Sequence, residues 1–144
     1  MDNTNLEFSY IEGSKLTEAY EVMKELRAHL TLNEFHAIYD RAHTQDKYQI
    51  MAAKEGDKIV ALMGLRTLCD YVHGEHLYID DLVVTHSHRG RGIGALLLRK
   101  AEELATQKRV KGLRLCTGKD MDDAKRFYER EGWSFGAVAY KKKL

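Results

Sequence analysis

Three glycines at alternate positions, directly before a long amphipathic segment, constrain the fold of this chain more than any other feature. Gly90, Gly92 and Gly94 stand in the stretch RGRGIGALLL, which follows the β-branched apolar run at 82–84. Each glycine costs roughly 0.5–1 kcal/mol relative to alanine in regular structure, because its backbone loses more entropy on folding. The pattern therefore predicts a strand, a tight turn and a helix start at which another group approaches the backbone closely.

A glycine-rich turn at the start of a helix is suited to binding an anion. The first backbone N–H groups of a helix have no partner inside the helix, and the helix dipole favours negative charge there. Arg89 and Arg91 add cationic side chains on either side of Gly90. The stretch from Arg89 to Ala95 is therefore predicted to hold a pyrophosphate, and the alternative is a tight turn that simply faces solvent.

Two other phosphate-binding motifs fit this stretch less well. A P-loop requires Gly-Lys-Ser/Thr, which RGRGIGAL does not contain. Gly90, Gly92 and Ala95 do satisfy the dinucleotide pattern G-x-G-x-x-A, with Asp120 as the acidic residue downstream. However, the polar stretch 85–89 separates the strand from the glycines, and about fifty residues then remain, too few to complete a doubly wound sheet. A small dinucleotide-binding oxidoreductase is the weaker alternative.

Hydrophobic periodicity predicts strands and helices along the whole chain. With 144 residues, 44% of them apolar, we expect one domain, 1–144, of the α/β (α+β) layered class. The predicted elements are strand Leu6–Ile11, a helix from an N-cap at Ser14 to Leu30, a helix at 31–43, two strands within 48–68 around a Gly56-Asp57 turn, a strand at 75–84, a helix from about Gly92 to Lys108, a strand at 112–117, a helix at 120–132 and a closing strand at 133–143.

The stretch LVVTHSHRGRGIGALLL resembles the acetyl-CoA signature of the GNAT superfamily of N-acetyltransferases, Arg/Gln-x-x-Gly-x-Gly/Ala. The likeness extends upstream to YIDDLVV and downstream to AKRFYEREGW, and so covers Tyr78 to Trp133. One departure is Met121, which stands where many members have an asparagine. The resemblance implies a single-domain GNAT-like fold, a mixed, splayed sheet of about six to seven strands flanked by about four helices.

The resemblance also implies acetyl-CoA as co-substrate and assigns residues to it. A pantetheine chain carries amides and can pair with a strand edge as an added strand would. A backbone N–H near Leu82 or Val83 is expected to stabilise the oxyanion. The implied cofactor-binding residues are Leu82, Val83 and Val84 for the pantetheine arm, and Arg89, Gly90, Arg91, Gly92, Ile93, Gly94 and Ala95 for the pyrophosphate.

Acetyl transfer to an amine needs a base for the amine and an acid for the departing thiolate. Tyr128 occupies the position of the family's general acid, and its alternative role is packing with Phe127 against the sheet. Asp80 and Asp81 are adjacent in an apolar strand, so we expect them to point to opposite faces, at least one of them near the acceptor. The alternative interpretation is that these two carboxylates have a structural role. Weaker candidates for the base are Glu75, His73 and His76.

Seven histidines raise the question of a metal. His86 and His88 form H-x-H, and His73 and His76 form H-x-x-H, but neither pair has cysteines or a helical H-E-x-x-H pattern beside it. Solvated loop histidines and no bound metal are therefore expected.

The two cysteines, Cys69 and Cys116, are interpreted as reduced strand residues, Cys116 in the core. The acidic residues of the second helix region could draw a cationic amine, although a solvated helix face is the simpler interpretation. These residues are Glu34, Asp40 and Asp46.

The charge balance and the first residues of the chain bear on its partners and its location. Lys plus Arg (23) nearly equals Asp plus Glu (22), so no nucleic acid or membrane surface is expected as partner. The stretch MDNTNLEFSY lacks the pattern of a signal peptide, and a cytoplasmic location is expected.

The sequence thus predicts an N-acetyltransferase that acts on a primary amine of a small molecule by direct transfer. The family resemblance leaves a homodimer open. The alternative function is a non-catalytic acyl-CoA-binding module of the same fold.

Overall fold

The structure is a computed structural model that describes Asn3 and residues 5–144. Residues 1, 2 and 4, part of the stretch without a signal-peptide pattern, lie outside the described residues. The elements in chain order are β1 (Leu6–Ile11), α1 (Lys15–Leu26), α2 (Leu32–Asp46), β2 (Gln49–Glu55), β3 (Lys58–Asp70), β4 (Gly74–Val84), a 3-10 turn (His86–His88), α3 (Ile93–Lys108), β5 (Leu113–Leu115) and α4 (Asp122–Arg130).

The strands form one mixed sheet in the order β1-β2-β3-β4-β5. The first four strands are antiparallel neighbours, and β5 runs parallel to β4. The predicted hairpin is confirmed at Gly56, whose φ of +62° is a conformation that glycine adopts without strain. This mixed α+β architecture with four helices confirms the predicted fold class.

Both faces of the sheet are covered, which explains why β2 and β3 are nearly continuous apolar runs. One face, the α1/α2 face, packs Ile50, Leu62 and Val83 against those two helices. The opposite α3/α4 face packs Met63 and Leu77 against α3, with aromatic side chains of α4 at its margin. The candidate site lies at the C-terminal end of β4, beside the helical layers of both faces.

Two helix boundaries differ from the sequence prediction. The helix predicted to reach Leu30 ends at Leu26, where the N–H of Arg27 bonds the carbonyl of Met23 and the backbone turns away. The turn brings the Arg27 guanidinium to β4, a contact that helical periodicity cannot reveal. The second helix is longer than predicted, because a capping box between Thr31 and Glu34 starts it and it continues to Asp46.

The closing strand predicted at 133–143 is wrong. The described residues 133–144 form neither helix nor strand, so the sheet has five strands where six to seven were expected. Phe135, Val138 and Tyr140 are 77%, 67% and 94% exposed. Aromatic and β-branched residues favour a strand, but a strand needs a partner, and β5 offers an edge of three residues.

A β-bulge in β4 changes which way its side chains point. Gly64 pairs with Asp81 while the next residue, Leu65, pairs with Ile79, so Asp80 is the extra residue in the ladder. An extra residue breaks the strict alternation of faces along a strand. The side chains that follow the bulge in β4 therefore point to the faces opposite to those they would take in an uninterrupted strand.

The bulge places both carboxylates of β4 on the α1/α2 face. Ile79, before the bulge, and Leu82, after it, both pack on the α3/α4 face. The two residues between them, Asp80 and Asp81, consequently lie on the other side of the sheet. The expectation that these carboxylates point to opposite faces is wrong, because it assumed an uninterrupted strand.

No helix in the described part of the chain is long and apolar enough to span a lipid bilayer.

Gly64→Ala is expected to destabilise the protein, because the space beside Gly64 is filled. A Cβ at this position would lie 2.6 Å from Asp81 Oδ2 and closer still to Tyr48 Oη. Overpacking of this kind costs roughly 1–3 kcal/mol of the free energy of unfolding. Urea titration followed by circular dichroism measures the change. Gly112→Ala is the matched control, since a Cβ there meets no described atom within 4 Å; equal losses in the two variants would contradict the prediction.

Candidate active site

The edge of β4 that faces β5 is open along its second half. β5 pairs with β4 at Leu77–Ile79, and among the described residues no strand continues beside Asp80 to Val84. On its other edge the stretch from Asp81 to Val84 is paired with β3. The main-chain groups on the open edge are therefore available to an extended ligand, and the pairing of Leu82, Val83 and Val84 with a pantetheine arm stays a prediction.

The glycine turn stands at the end of this open edge. Gly90 and Gly92 both have φ of +79°, and a Cβ at either position would meet no described atom within 4 Å. Gly92 caps α3, whose first backbone bond runs from Leu96 N to Gly92 O over 3.1 Å. The N–H groups of the three residues between them, Ile93, Gly94 and Ala95, consequently have no acceptor within the helix. The turn has the geometry of an anion cradle.

Arg89 and Arg91 each have an acidic partner on a neighbouring element. The Arg89 guanidinium lies 3.4 Å from Glu25 of α1 and donates to the carbonyl of Val84 over 3.0 Å. The Arg91 guanidinium lies 3.2 Å from Glu55 at the end of β2. In this arrangement the two arginines hold the turn against the sheet and α1, and one predicted pantetheine partner, Val84 O, already accepts a bond.

Two carboxylates support the turn from behind. Glu25 accepts from Thr85 Oγ1 at 2.6 Å and from His86 N at 2.9 Å. Glu55 accepts from His88 Nε2 at 3.2 Å, and this bond, aided by Arg91, lowers the pKa of Glu55. His88 is buried, which corrects the expectation of a solvated loop histidine at this position. His86 is exposed as expected.

The two carboxylates of β4 take part in one hydrogen-bonded ion network. Asp80 is bound on both oxygens by Arg66, from Nε over 3.0 Å and from a terminal nitrogen over 2.7 Å. Asp81 accepts from Tyr48 Oη at 2.7 Å and from Arg27 Nε at 3.1 Å. Arg27 also donates to the main-chain carbonyl of Asp80, which joins the two halves.

Burial and charge act in opposite directions on this network. Burial raises the pKa of Asp80, and the bonds and positive charge of Arg66 oppose that rise. Burial together with the neighbouring Asp81 carboxylate raises the pKa of Tyr48 well above its ordinary value, so Tyr48 is a proton donor. The Arg66 guanidinium lies 5.6 Å from the centre of the Tyr48 ring. The arrangement holds two carboxylates close together with cations on both sides.

Sequence reasoning did not identify Tyr48, Arg27 or Arg66 as part of the site. They lie 33, 54 and 14 residues from their aspartate partners and belong to no local motif. Of the acidic residues considered for an amine, Asp46 joins the network through a 2.7 Å bond from Arg66. The remaining acidic candidates lie apart from the network: Glu34 in the capping box of α2, Asp40 exposed on α2, and Glu75 exposed at the start of β4.

Tyr128 lies on α4 at the margin of the α3/α4 face. Its ring contacts Phe127 and Trp133, with centroids 5.2 Å and 6.0 Å away. Burial raises the pKa of Tyr128, which keeps the phenol protonated at neutral pH. The Phe127 ring reaches to 3.4 Å from where a Cβ of Gly94 would stand, so α4 packs against the first turn of α3.

Tyr78 and Cys116 face each other where β4 and β5 separate. Burial, with a hydrogen bond to Cys116, raises the pKa of Tyr78 to about 12. Cys116 and Cys69 are both free and exposed. The expectation that Cys116 belongs to the core is wrong, because β5 ends at Leu115 and the chain leaves the sheet before it.

The fold is that of an acyltransferase family. The chain belongs to the Acetyltransferase (GNAT) family, whose sequence profile matches residues 14–133. This confirms the predicted family and identifies the chain as an acyltransferase of the N-acetyltransferase type. Among curated proteins it is similar to YhdJ of Bacillus subtilis (strain 168), an uncharacterized N-acetyltransferase, with 31% identity over 126 residues, 87% of this chain and 89% of that protein.

Solved structures share the fold at much lower sequence identity. The aminoglycoside N-acetyltransferase AAC(6')-Iy, in complex with CoA, has a TM-score of 0.83 at 15% identity, covering 96% of this chain and 95% of that one. A ribosomal-protein-alanine N-acetyltransferase from Brucella melitensis biovar Abortus 2308 has a TM-score of 0.81 at 17% identity, covering 96% and 99%. At these identities the likeness establishes the fold.

The ionisation of Asp80 is expected to respond to Arg66. We expect a titration midpoint for the Asp80 carboxyl above the ordinary value of about 3.9, and a further rise in Arg66→Met, because Arg66 opposes the effect of burial. Since the pKa is higher in the folded chain, the contribution of Asp80 to the free energy of unfolding declines as pH rises from about 4 through the folded-state pKa.

Side-chain carbon NMR of Asp80 against pH measures these midpoints. Arg27→Met is the matched control, because Arg27 bonds the main-chain carbonyl of Asp80 and has the weaker influence on its carboxyl. A larger shift in Arg27→Met than in Arg66→Met would contradict the assignment.

Proposed function

We propose that this protein is an acetyl-CoA-dependent N-acetyltransferase that transfers the acetyl group directly to a primary amine of a small molecule. The observation that supports the proposal most strongly is the open edge of β4, which leads from Asp80 to the glycine turn at the start of α3. An extended chain ending in a diphosphate matches that path in shape and charge. The carboxylate network lies beside its beginning.

The residues present fit the nucleotide end of acetyl-CoA. A Cβ at Gly90 or Gly92 would occupy space that is open in the described structure, and the N–H groups of the first turn of α3 have no acceptor within that helix. Backbone N–H groups at a helix start bind phosphate directly. Main-chain groups of the turn therefore carry the diphosphate, and Arg89 and Arg91 position the turn through Glu25 and Glu55.

Acetyl-CoA supplies the thioester carbonyl that the amine attacks. We assign the general base to Asp80, acting directly or through a water molecule, because burial moves its pKa toward neutrality. Arg66 orients this carboxylate by binding both of its oxygens. Asp81, bound by Tyr48 and Arg27, is assigned a positioning role that maintains the bulge. A main-chain N–H near Leu82 would meet the oxyanion.

Tyr128 is assigned as the general acid for the thiolate. A phenol whose pKa is raised by burial stays protonated at neutral pH and can donate to a departing thiolate, whose own pKa is about 8.5. Packing between Phe127 and Trp133 restricts the orientation of the ring. The packing and catalytic roles considered for Tyr128 are compatible.

The charge of the network supports a cationic acceptor. Three carboxylates, Asp46, Asp80 and Asp81, are matched by two guanidinium groups, Arg27 and Arg66. The excess of one negative charge within this network favours a protonated amine over an anion. A small molecule is proposed as the acceptor because such an amine can reach carboxylates that are 14% and 20% exposed.

Tyr128→Phe is expected to lower kcat while leaving the KM for acetyl-CoA within about twofold. Loss of a general acid reduces the rate by about a hundredfold or more, and the phenylalanine ring retains the packing with Trp133. Release of free thiol from acetyl-CoA across a panel of primary amines measures both constants.

Tyr140→Phe is the matched control, because Tyr140 is 94% exposed and lies outside the site. Unchanged kcat in Tyr128→Phe would leave Tyr128 with packing alone. If the native chain binds CoA but releases no thiol with any amine, the protein is a non-catalytic acyl-CoA-binding module and the proposed transfer is wrong.

Gly92→Ala is expected to weaken CoA binding about tenfold, or roughly 1.4 kcal/mol, because its Cβ projects into the turn. The backbone strain of alanine at positive φ, roughly 1–2 kcal/mol, is matched in Gly132→Ala, where φ is +92° at the end of α4. Isothermal titration with CoA should therefore show weaker binding in the first variant and unchanged binding in the second. Equal affinities in the two variants would exclude the turn as the diphosphate site.

A further inference from the structure

The turn between β3 and β4 brings two histidines and an aspartate together. Asp70, His73 and His76 each offer one ligand atom, and these atoms all lie within 4.8 Å of one another. We propose that this cluster binds one divalent transition-metal ion, with Zn²⁺ as the first candidate. Two imidazoles and a carboxylate are a donor set that Zn²⁺, Co²⁺ and Ni²⁺ accept.

Asp70 is the proposed ligand that the H-x-x-H pattern does not include. H-x-x-H alone was interpreted as a pair of loop histidines, but Asp70 precedes His73 by three residues and ends β3, while His73 lies in the turn before β4. The N–H of His73 donates to Asp70 Oδ1 over 2.6 Å, and His73 Nδ1 lies 3.1 Å from the same oxygen. The hairpin therefore holds the carboxylate beside the imidazole before any ion arrives.

His76 is oriented in the way that metal-binding histidines are. It lies on β4 and is 2% exposed, so the expectation of a solvated loop histidine is wrong at this position too. Its Nδ1 lies 2.9 Å from the carbonyl oxygen of Gly74. A carbonyl can only accept, so Nδ1 carries the proton and Nε2 presents a lone pair. A backbone carbonyl on one imidazole nitrogen fixes the tautomer and the ring plane for a metal on the other.

The Arg114 guanidinium lies against two of the three proposed ligands, where the positive charge of a metal ion would stand. Arg114 Nε donates to His76 Nε2 over 3.3 Å, and another of its nitrogens lies 4.0 Å from Asp70 Oδ2. The Arg114 side chain also stacks on the Tyr78 ring, 4.9 Å from its centre, so it can leave the histidine and keep a partner. We infer that the metal ion and Arg114 compete for the same two ligands.

The metal site is separate from the proposed acetyl-transfer site. It lies at the N-terminal end of β4, whereas the glycine turn lies beyond the C-terminal end of that strand. At about 3.3 Å per residue, the eight residues from His76 to Val84 span roughly 26 Å. A failure of one proposal therefore leaves the other intact.

Isothermal titration of the full chain, freed of metal with EDTA, tests the proposal with ZnCl₂. We expect one ion per chain in the native protein. His73→Ala and Asp70→Asn should each weaken the affinity at least tenfold, because each removes a ligand. Arg114→Met should tighten it several-fold, because the competing cation is gone. His29→Ala is the matched control, an exposed histidine in the loop between α1 and α2, and should leave the affinity unchanged.

NMR of the native protein supplies a test that does not depend on any variant folding. Addition of Zn²⁺ should shift the ring signals of His73 and His76 and leave that of His29 in place. Absence of stoichiometric binding, a loss in His29→Ala as large as in His73→Ala, or weaker binding in Arg114→Met would overturn the proposal.

Discussion

One extra residue in β4, opposite Gly64, is the constraint on which the site depends. Without the bulge, strict alternation would send Asp80 and Asp81 to opposite faces of the sheet. With it, both carboxylates lie on the α1/α2 face, where Tyr48, Arg27 and Arg66 can reach them. The absence of a side chain at Gly64 is the matching condition, because the Tyr48 hydroxyl and the Asp81 carboxylate occupy that space.

The ion network that follows from the bulge is a balance between desolvation and pairing. Partly burying a carboxylate is unfavourable, and neighbouring cations recover that free energy only when the hydrogen-bond geometry is good. Asp80 has both oxygens bound by Arg66, yet its pKa still lies above the ordinary value, so burial has the larger effect. A carboxylate in that condition retains affinity for a proton, which is the property that a general base needs.

The fold of the chain does not by itself specify an acceptor. Solved structures at 15% and 17% identity share the fold of this chain. A fold of this kind accommodates many substrates, so the acceptor has to be argued from the side chains around the site. Here those side chains come from the residue after α1, the end of α2, the residue before β2 and β3, and they belong to no local motif: Arg27, Asp46, Tyr48 and Arg66.

The sequence by itself determined the features whose causes are local. Helix and strand periodicity located β1 and α3, and the alternate glycines predicted a tight turn whose positive φ values at Gly90 and Gly92 the structure confirms. Those features depend on residues only a few positions apart. Tertiary structure alone decided what needs a distant partner: the faces of Asp80 and Asp81, the unpaired segment at 133–144, the exposure of Cys116 and the burial of His88. A residue's strand propensity does not specify its neighbour across the sheet, because pairing and burial arise from contacts between segments far apart in the chain.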